Sequence, residues 1–172
     1  LEQSMDDMNV WMTPADLSID TDTFEVLASG GHYVNIHTPA NPSGELRGQI
    51  ITDDYVLVTF SLDGDQQVPA NASTAKGDGY ALINSTSLAL ELTTLTTGVA
   101  DATAAHIHIG ATGTNGPVLV GLLQDAADVN AWFTPATTTI DTDTLAILLD
   151  GGHYVNVHTP AFPGGEIRGQ IQ

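Results

Sequence analysis

The sequence predicts an all-β protein, an antiparallel Greek-key sandwich or barrel built from repeated half-units. Three observations lead there. Short runs of alternating apolar and polar residues are separated by Gly, Pro, Asn and Asp clusters at the spacing of a sandwich or barrel. Thr, Gly, Ala and Val dominate while Glu, Lys and Arg are scarce, and no helical period of useful length is visible. The chain also repeats itself.

Taken in order, the β-favouring runs are Tyr55–Leu62, Tyr80–Ile83, Ser87–Leu92, Ala104–Ile109, Val118–Leu123, Val129–Phe133, Thr144–Leu149, Tyr154–His158 and Glu166–Ile171. Before them lies a segment whose pattern returns later. Residues 1–51 align without a gap onto 122–172, with 31 identities. Trp11-Met-Thr-Pro-Ala matches Trp132-Phe-Thr-Pro-Ala, and Gly30-Gly-His-Tyr-Val-Asn-Ile-His matches Gly151-Gly-His-Tyr-Val-Asn-Val-His. A duplication of this length without gaps marks a repeated structural unit. A fainter echo lays Thr86–Leu92 on Thr142–Leu148 and sets His108 against His158. The chain thus reads as residues 1–51, the second half of one repeat, followed by a complete domain at 52–172. That domain has an N-type half (55–123) and a C-type half (124–172).

Composition narrows the function classes. Hydrophobic residues are 42% of the 172, enough for a packed core. Asp and Glu number 21 against three basic residues, for a net charge of −18. Such a surface repels phosphate backbones and anionic membranes, so nucleic acid is set aside as a partner. No apolar run approaches the roughly 18 residues of a membrane span, and no membrane insertion is expected. Cysteine is absent, which removes disulfides and thiolate metal sites. A chain opening on Leu1 rather than Met fits a processed or excised mature protein.

Tyr154-Val-Asn-Val-His-Thr followed by Gly165-Glu-Ile-Arg-Gly-Gln-Ile, with Ala105-His-Ile-His-Ile-Gly upstream, resembles the CHRD domain first described in chordin. The resemblance covers about 55–172 as one complete domain and 1–51 as the second half of another. It implies an exported, β-rich, often tandem extracellular module. It gives fold and address more than activity.

Candidate metal ligands come from strand parity. Alternate residues of a strand share a face. His106 and His108 therefore point one way while Ala105, Ile107 and Ile109 point the other, and the same parity sets His158 with Asn156 and Tyr154, opposite Val155 and Val157. A His-x-His pair plus one histidine from a neighbouring strand offers three nitrogens to copper or zinc. Copper–zinc superoxide dismutase offers an analogy for a strand-borne His-x-His. The competing reading has these rings bonded to loops or carboxylates. His153 falls on the core parity unless Gly151-Gly152 introduces a bulge that would make it a fourth ligand. His37 and His32 mirror His158 and His153, but completing a second site would take histidines from another chain.

Asp20 with Asp22, and Asp141 with Asp143, present carboxylates at calcium-like spacing without the Gly and distal Glu of an EF-hand loop, so solvated turns are the preferred reading over calcium. Glu45 shares a strand face with Arg47, and Glu166 with Arg168. Each pair is expected to be structural, the arginine anchoring a carboxylate or loop carbonyls.

No nucleophile with a base, phosphate-cradling loop or paired catalytic carboxylates is legible, so a non-enzymatic role leads. Half of a β-domain exposes an apolar face and open strand edges. The leading expectation is an extracellular structural protein that self-associates through half-domain or strand pairing, as a homo-oligomer or a filament. Such a protein would build a fibre or surface layer and carry a metal on its histidines. The alternatives are a copper protein with a redox, superoxide dismutase-like or sequestering role, and a passive adhesion or ligand-binding module.

Overall fold

The computed structural model describes residues 1–52 and 54–172. The chain divides into two units, residues 1–53 and 54–172.

The first unit contains β1 (Glu2–Gln3), β2 (Trp11–Met12), α1 (Thr21–Ala28), β3 (Tyr33–Ile36) and β4 (Leu46–Gln49). β1 pairs with β2 and β3 with β4, both antiparallel. None of its described residues is buried.

The second unit contains β5 (Tyr55–Leu62), β6 (Lys76–Asn84), β7 (Leu90–Thr97), β8 (Ala104–Ile109), β9 (Val118–Gly121), β10 (Leu123–Gln124), β11 (Ala131–Phe133), α2 (Thr142–Leu149), β12 (His153–His158) and β13 (Ile167–Ile171). Two antiparallel sheets face each other, ordered β10-β11-β7-β6-β5 and β13-β12-β8-β9. The β7–β11 and β8–β12 neighbours are not consecutive in sequence, the crossover habit of Greek-key sandwiches. Phe60, Leu62, Ile83 and Leu92 of one sheet meet Ile107, Val155, Val157, Ile167 and Ile171 of the other, with Trp132 and Leu148 filling in. Full burial of each such side chain contributes roughly 1.5–3 kcal/mol, which is what holds the layers together.

The sheets touch at two corners without closing into a barrel. At one, Asp63 and Arg168 exchange backbone hydrogen bonds of 3.0 and 2.9 Å. At the other, the run expected as one strand over Val118–Leu123 breaks at Leu122, where the chain passes from β9 in one sheet to β10 in the other. The strand expected from Ser87 starts only at Leu90. Asn84 accepts from the Thr86 and Ser87 amides and Leu88 takes a φ of 59°, so a turn occupies the first residues.

One element was misread. Thr144–Leu149, expected as a strand, lies in helix α2. Asp141 caps it, its carboxylate accepting from the Thr144 amide at 2.7 Å, and Gly151 ends it at a φ of 71° that suits glycine. α1 is built the same way by Asp20 and Gly30. Asp20 and Asp141 are therefore helix caps rather than open turns, and Asp22 and Asp143 lie in the first turns beside them. The Thr23 and Thr144 side chains first, and these cap bonds second, hold the Asp20 and Asp141 carboxyls below their ordinary pKa. The faint echo of Thr86–Leu92 in Thr142–Leu148 does not extend to conformation, since one is a turn leading into a strand and the other a helix.

Candidate metal centre

Strand β8 sends Ala105 and Ile107 into the core and His106 and His108 to the outer face. Its neighbour β12 buries Val155 and Val157 by the same parity. The register sets His108 opposite Tyr154, His106 opposite Asn156, and Ala104 opposite His158. His158 thus meets His106 along the diagonal, within reach of long or ring side chains. Ring centroids stand 5.0 Å apart for His106 and His158, 5.6 Å for His106 and His108, and 6.2 Å for His108 and His158. One nitrogen from each ring lies within 4.8 Å of the others.

Two of the rings are held from behind. His108 Nδ1 lies 2.9 Å from the Gly116 carbonyl and His158 Nδ1 3.0 Å from the Pro163 carbonyl. A carbonyl only accepts, so in its neutral form each ring carries the proton on Nδ1 and leaves an Nε2 lone pair. Among the described residues His108 Nε2, His158 Nε2 and His106 Nδ1 are buried with no hydrogen-bond partner. Three unpartnered buried nitrogens on neighbouring rings, two of them Nε2 lone pairs, are costly left alone and suit a cation. Imidazole nitrogens bound to zinc at 2.0–2.1 Å would stand about 3.3 Å apart, so modest rotamer closure brings the set together. Donors of this kind fit copper or zinc, whereas calcium takes oxygen.

The electrostatics favour the neutral form of His106 and His108. Burial lowers the His106 pKa from its ordinary value, with the His158 and His108 charges adding to the effect. Burial also lowers that of His108, against the bond to Gly116 and with help from His158 and Arg168. Neutral rings are the form that binds metal.

Behind His108 stands a layered support. The Tyr154 ring stacks on His108 at 4.9 Å and 6°, and the Arg168 guanidinium lies 3.5 Å from the Tyr154 centroid. Arg168, 1% exposed, donates to the carbonyls of Thr114 (2.8 Å) and Ala111 (3.1 Å) and to Gln170 Oε1 (2.9 Å). Asn156, beside His106, accepts from Gln67 at 2.8 Å.

The remaining candidates lie elsewhere. His153 is not brought to the cluster. No bulge interrupts β12, so His153 faces the core with Val155 and Val157, 1% exposed. Glu166 and Arg168 do not pair: Glu166 accepts from Ser73 Oγ at 2.8 Å while Arg168 takes the loop carbonyls. Glu45 and Arg47 do not pair either. Glu45 accepts from Thr38 Oγ1, which with the Asn41 side chain holds its carboxyl below the ordinary pKa, and Arg47 lies over Tyr33 at 3.8 Å. Among the described residues the one ion pair is Lys76 with Asp63, at 3.8 Å. In the first unit His37 Nδ1 meets the Pro42 carbonyl at 3.1 Å, as His158 meets Pro163, and His32 Nδ1 has no partner among the described residues.

Sequence reading missed the Gly116 and Pro163 carbonyls, the Tyr154 stack and Gln67. Of these only Tyr154 left a signal, its shared parity with His158.

The class defined by this architecture is an antiparallel β-sandwich module with a histidine cluster on the outer face of one sheet. The model of the CHRD domain matches residues 1–50 and 58–171, and the chain belongs to the CHRD family. CHRD domains occur in secreted proteins. No curated protein and no solved structure matches the chain. Among the described residues no helix is long and apolar enough to cross a membrane.

Proposed function

We propose that this protein is an extracellular metal-binding β-module that holds one copper or zinc ion through His106, His108 and His158. One observation carries the reading: three rings from two adjacent strands bring one nitrogen each within 4.8 Å of the others, and among the described residues each ring holds a buried nitrogen without a partner. The net charge of −18 adds a field that draws cations toward the surface. Copper would give the site a redox or sequestering role, and zinc a stabilising one. The test is metal analysis of the purified chain after exposure to each ion, with electron paramagnetic resonance of the copper form. One equivalent per chain with nitrogen hyperfine structure is expected, lost in His106→Ala and His158→Ala. Metal content unchanged in those variants would remove the reading.

A second reading has its own observation. The first unit repeats the C-type half element by element, yet leaves Trp11, Leu46 and Ile50 open where Trp132, Ile167 and Ile171 are buried. That open face supports self-association of the chain, as an oligomer or a fibre.

A further inference from the structure

Arg168 is an unusual group to find 1% exposed, because among the described residues no carboxylate pairs with it. A buried charge survives only when its donors are satisfied. Here the guanidinium is met by the Ala111 and Thr114 carbonyls, by Gln170 Oε1 and by the face of Tyr154. Ala111 and Thr114 belong to the loop of residues 110–117 that joins β8 to β9, and this loop has further ties. Gln170 Nε2 donates to the Gly110 carbonyl at 2.9 Å, and the Gly116 amide donates to Tyr154 Oη at 3.2 Å. A side chain at Gly116 would collide with the Ile109 carbonyl, so the loop closes tightly over the sheet. Gly116 in turn supplies the carbonyl that holds His108 Nδ1–H.

We propose that Arg168 is the positioning residue of the histidine centre: it pins the 110–117 loop through the Ala111 and Thr114 carbonyls, so that the Gly116 carbonyl fixes His108 with Nε2 turned to His106 and His158. The proposal rests on the metal-centre reading for its purpose, but its structural half is independent of any metal. A planar fork that bonds two carbonyls while stacking on a ring is a task for arginine that lysine cannot reproduce. The first unit offers a contrast. Arg47 stacks on Tyr33 in the same way, but it is exposed and among the described residues its one side-chain bond is to Gln49 at 3.4 Å.

The experiment compares the full chain with Arg168→Lys and Arg168→Met, reading imidazole tautomers by long-range proton–nitrogen spectroscopy of metal-free protein at pH 7.5. In the parent, His108 and His158 both show the Nδ1–H form. In the variants His108 becomes a mixture of tautomers while His158, held by Pro163, does not change. Copper and zinc affinity falls about 10- to 100-fold, as for other groups that orient metal ligands, and more in Met than in Lys. An unchanged His108 tautomer in a folded variant overturns the proposal. Should neither variant fold, the parent alone decides. Slowly exchanging Arg168 Nη protons correlated through hydrogen bonds to the Ala111 and Thr114 carbonyl carbons are expected, and their absence overturns the proposal. A parent that takes up no metal overturns the reading of the centre, while the tautomer result still judges the role of Arg168.

Discussion

His153 and His158 sit five residues apart on β12 and occupy opposite chemical worlds. The odd spacing sends one ring into the core and the other to the outer face. Burial lowers the His153 pKa from its ordinary value, and its Nδ1 has no partner. The unfolded chain takes up a proton near pH 6.5 that the folded ring resists. The folded state therefore keeps its full stability above that pH and loses it as the pH falls through and below 6.5. His106 and His108 contribute in the same direction, since burial lowers both. Thermal unfolding of the metal-free protein is expected to occur at lower temperature at pH 5 than at pH 7.5. His153→Leu is expected to shrink that difference and leave copper content unchanged. A variant with the parent's pH dependence, or with lost metal, would contradict this placement of His153.

At the scale of elements, the two helices are a matched pair in unlike settings. Leu148 of α2 is fully buried, while its counterpart Leu27 in α1 is half-exposed. Leu148→Ala is expected to destabilise the second unit by about 2–5 kcal/mol, the usual range for a core leucine. Leu27→Ala should leave the same transition within about 0.5 kcal/mol. Denaturant unfolding followed by Trp132 fluorescence in a Trp11→Phe background measures both, and equal shifts would refute the difference in packing. The helices also show where sequence reading loses its grip. Two turns are too short to display a 3.6 period, and Leu-Ala-Ile-Leu-Leu reads as an apolar strand run. The cues lay at the ends, in Asp141 and Gly151. Longer strands such as β5 and β8 were legible because few conformations besides a half-buried strand produce alternation over six to eight residues. Parity also brought out the three histidines that cluster. Their supports stayed hidden, because Gly116 and Pro163 act through backbone carbonyls that leave no trace in a sequence. The burial of Arg168 depends on a loop more than fifty residues away along the chain.

For the whole molecule the assembly proposal turns on the halves that the sequence repeat suggests: one N-type and two C-type within these 172 residues. Exchanging the N-type half between copies moves the open face from one C-type half to another without removing it. Pairing two open faces, one from each copy about a two-fold axis, covers both. Leu1, Trp11, Leu27, Val34, Ile36, Leu46 and Ile50 occupy the positions that are buried core in the second unit. They are already partly covered, so their further burial is worth on the order of 5–10 kcal/mol. Association itself costs roughly 4–15 kcal/mol, so the balance predicts weak pairing at best, populated only at about tens of micromolar or above. Light scattering across a dilution series is expected to show a dimer that dissociates on dilution. The double variant Trp11→Ser, Leu46→Ser should be monomeric throughout, with its metal content unchanged because the histidine cluster lies in the other unit. A parent that is strictly monomeric at every concentration and salt would end the assembly reading. Growth without a limiting size would favour a head-to-tail fibre over the two-fold pair.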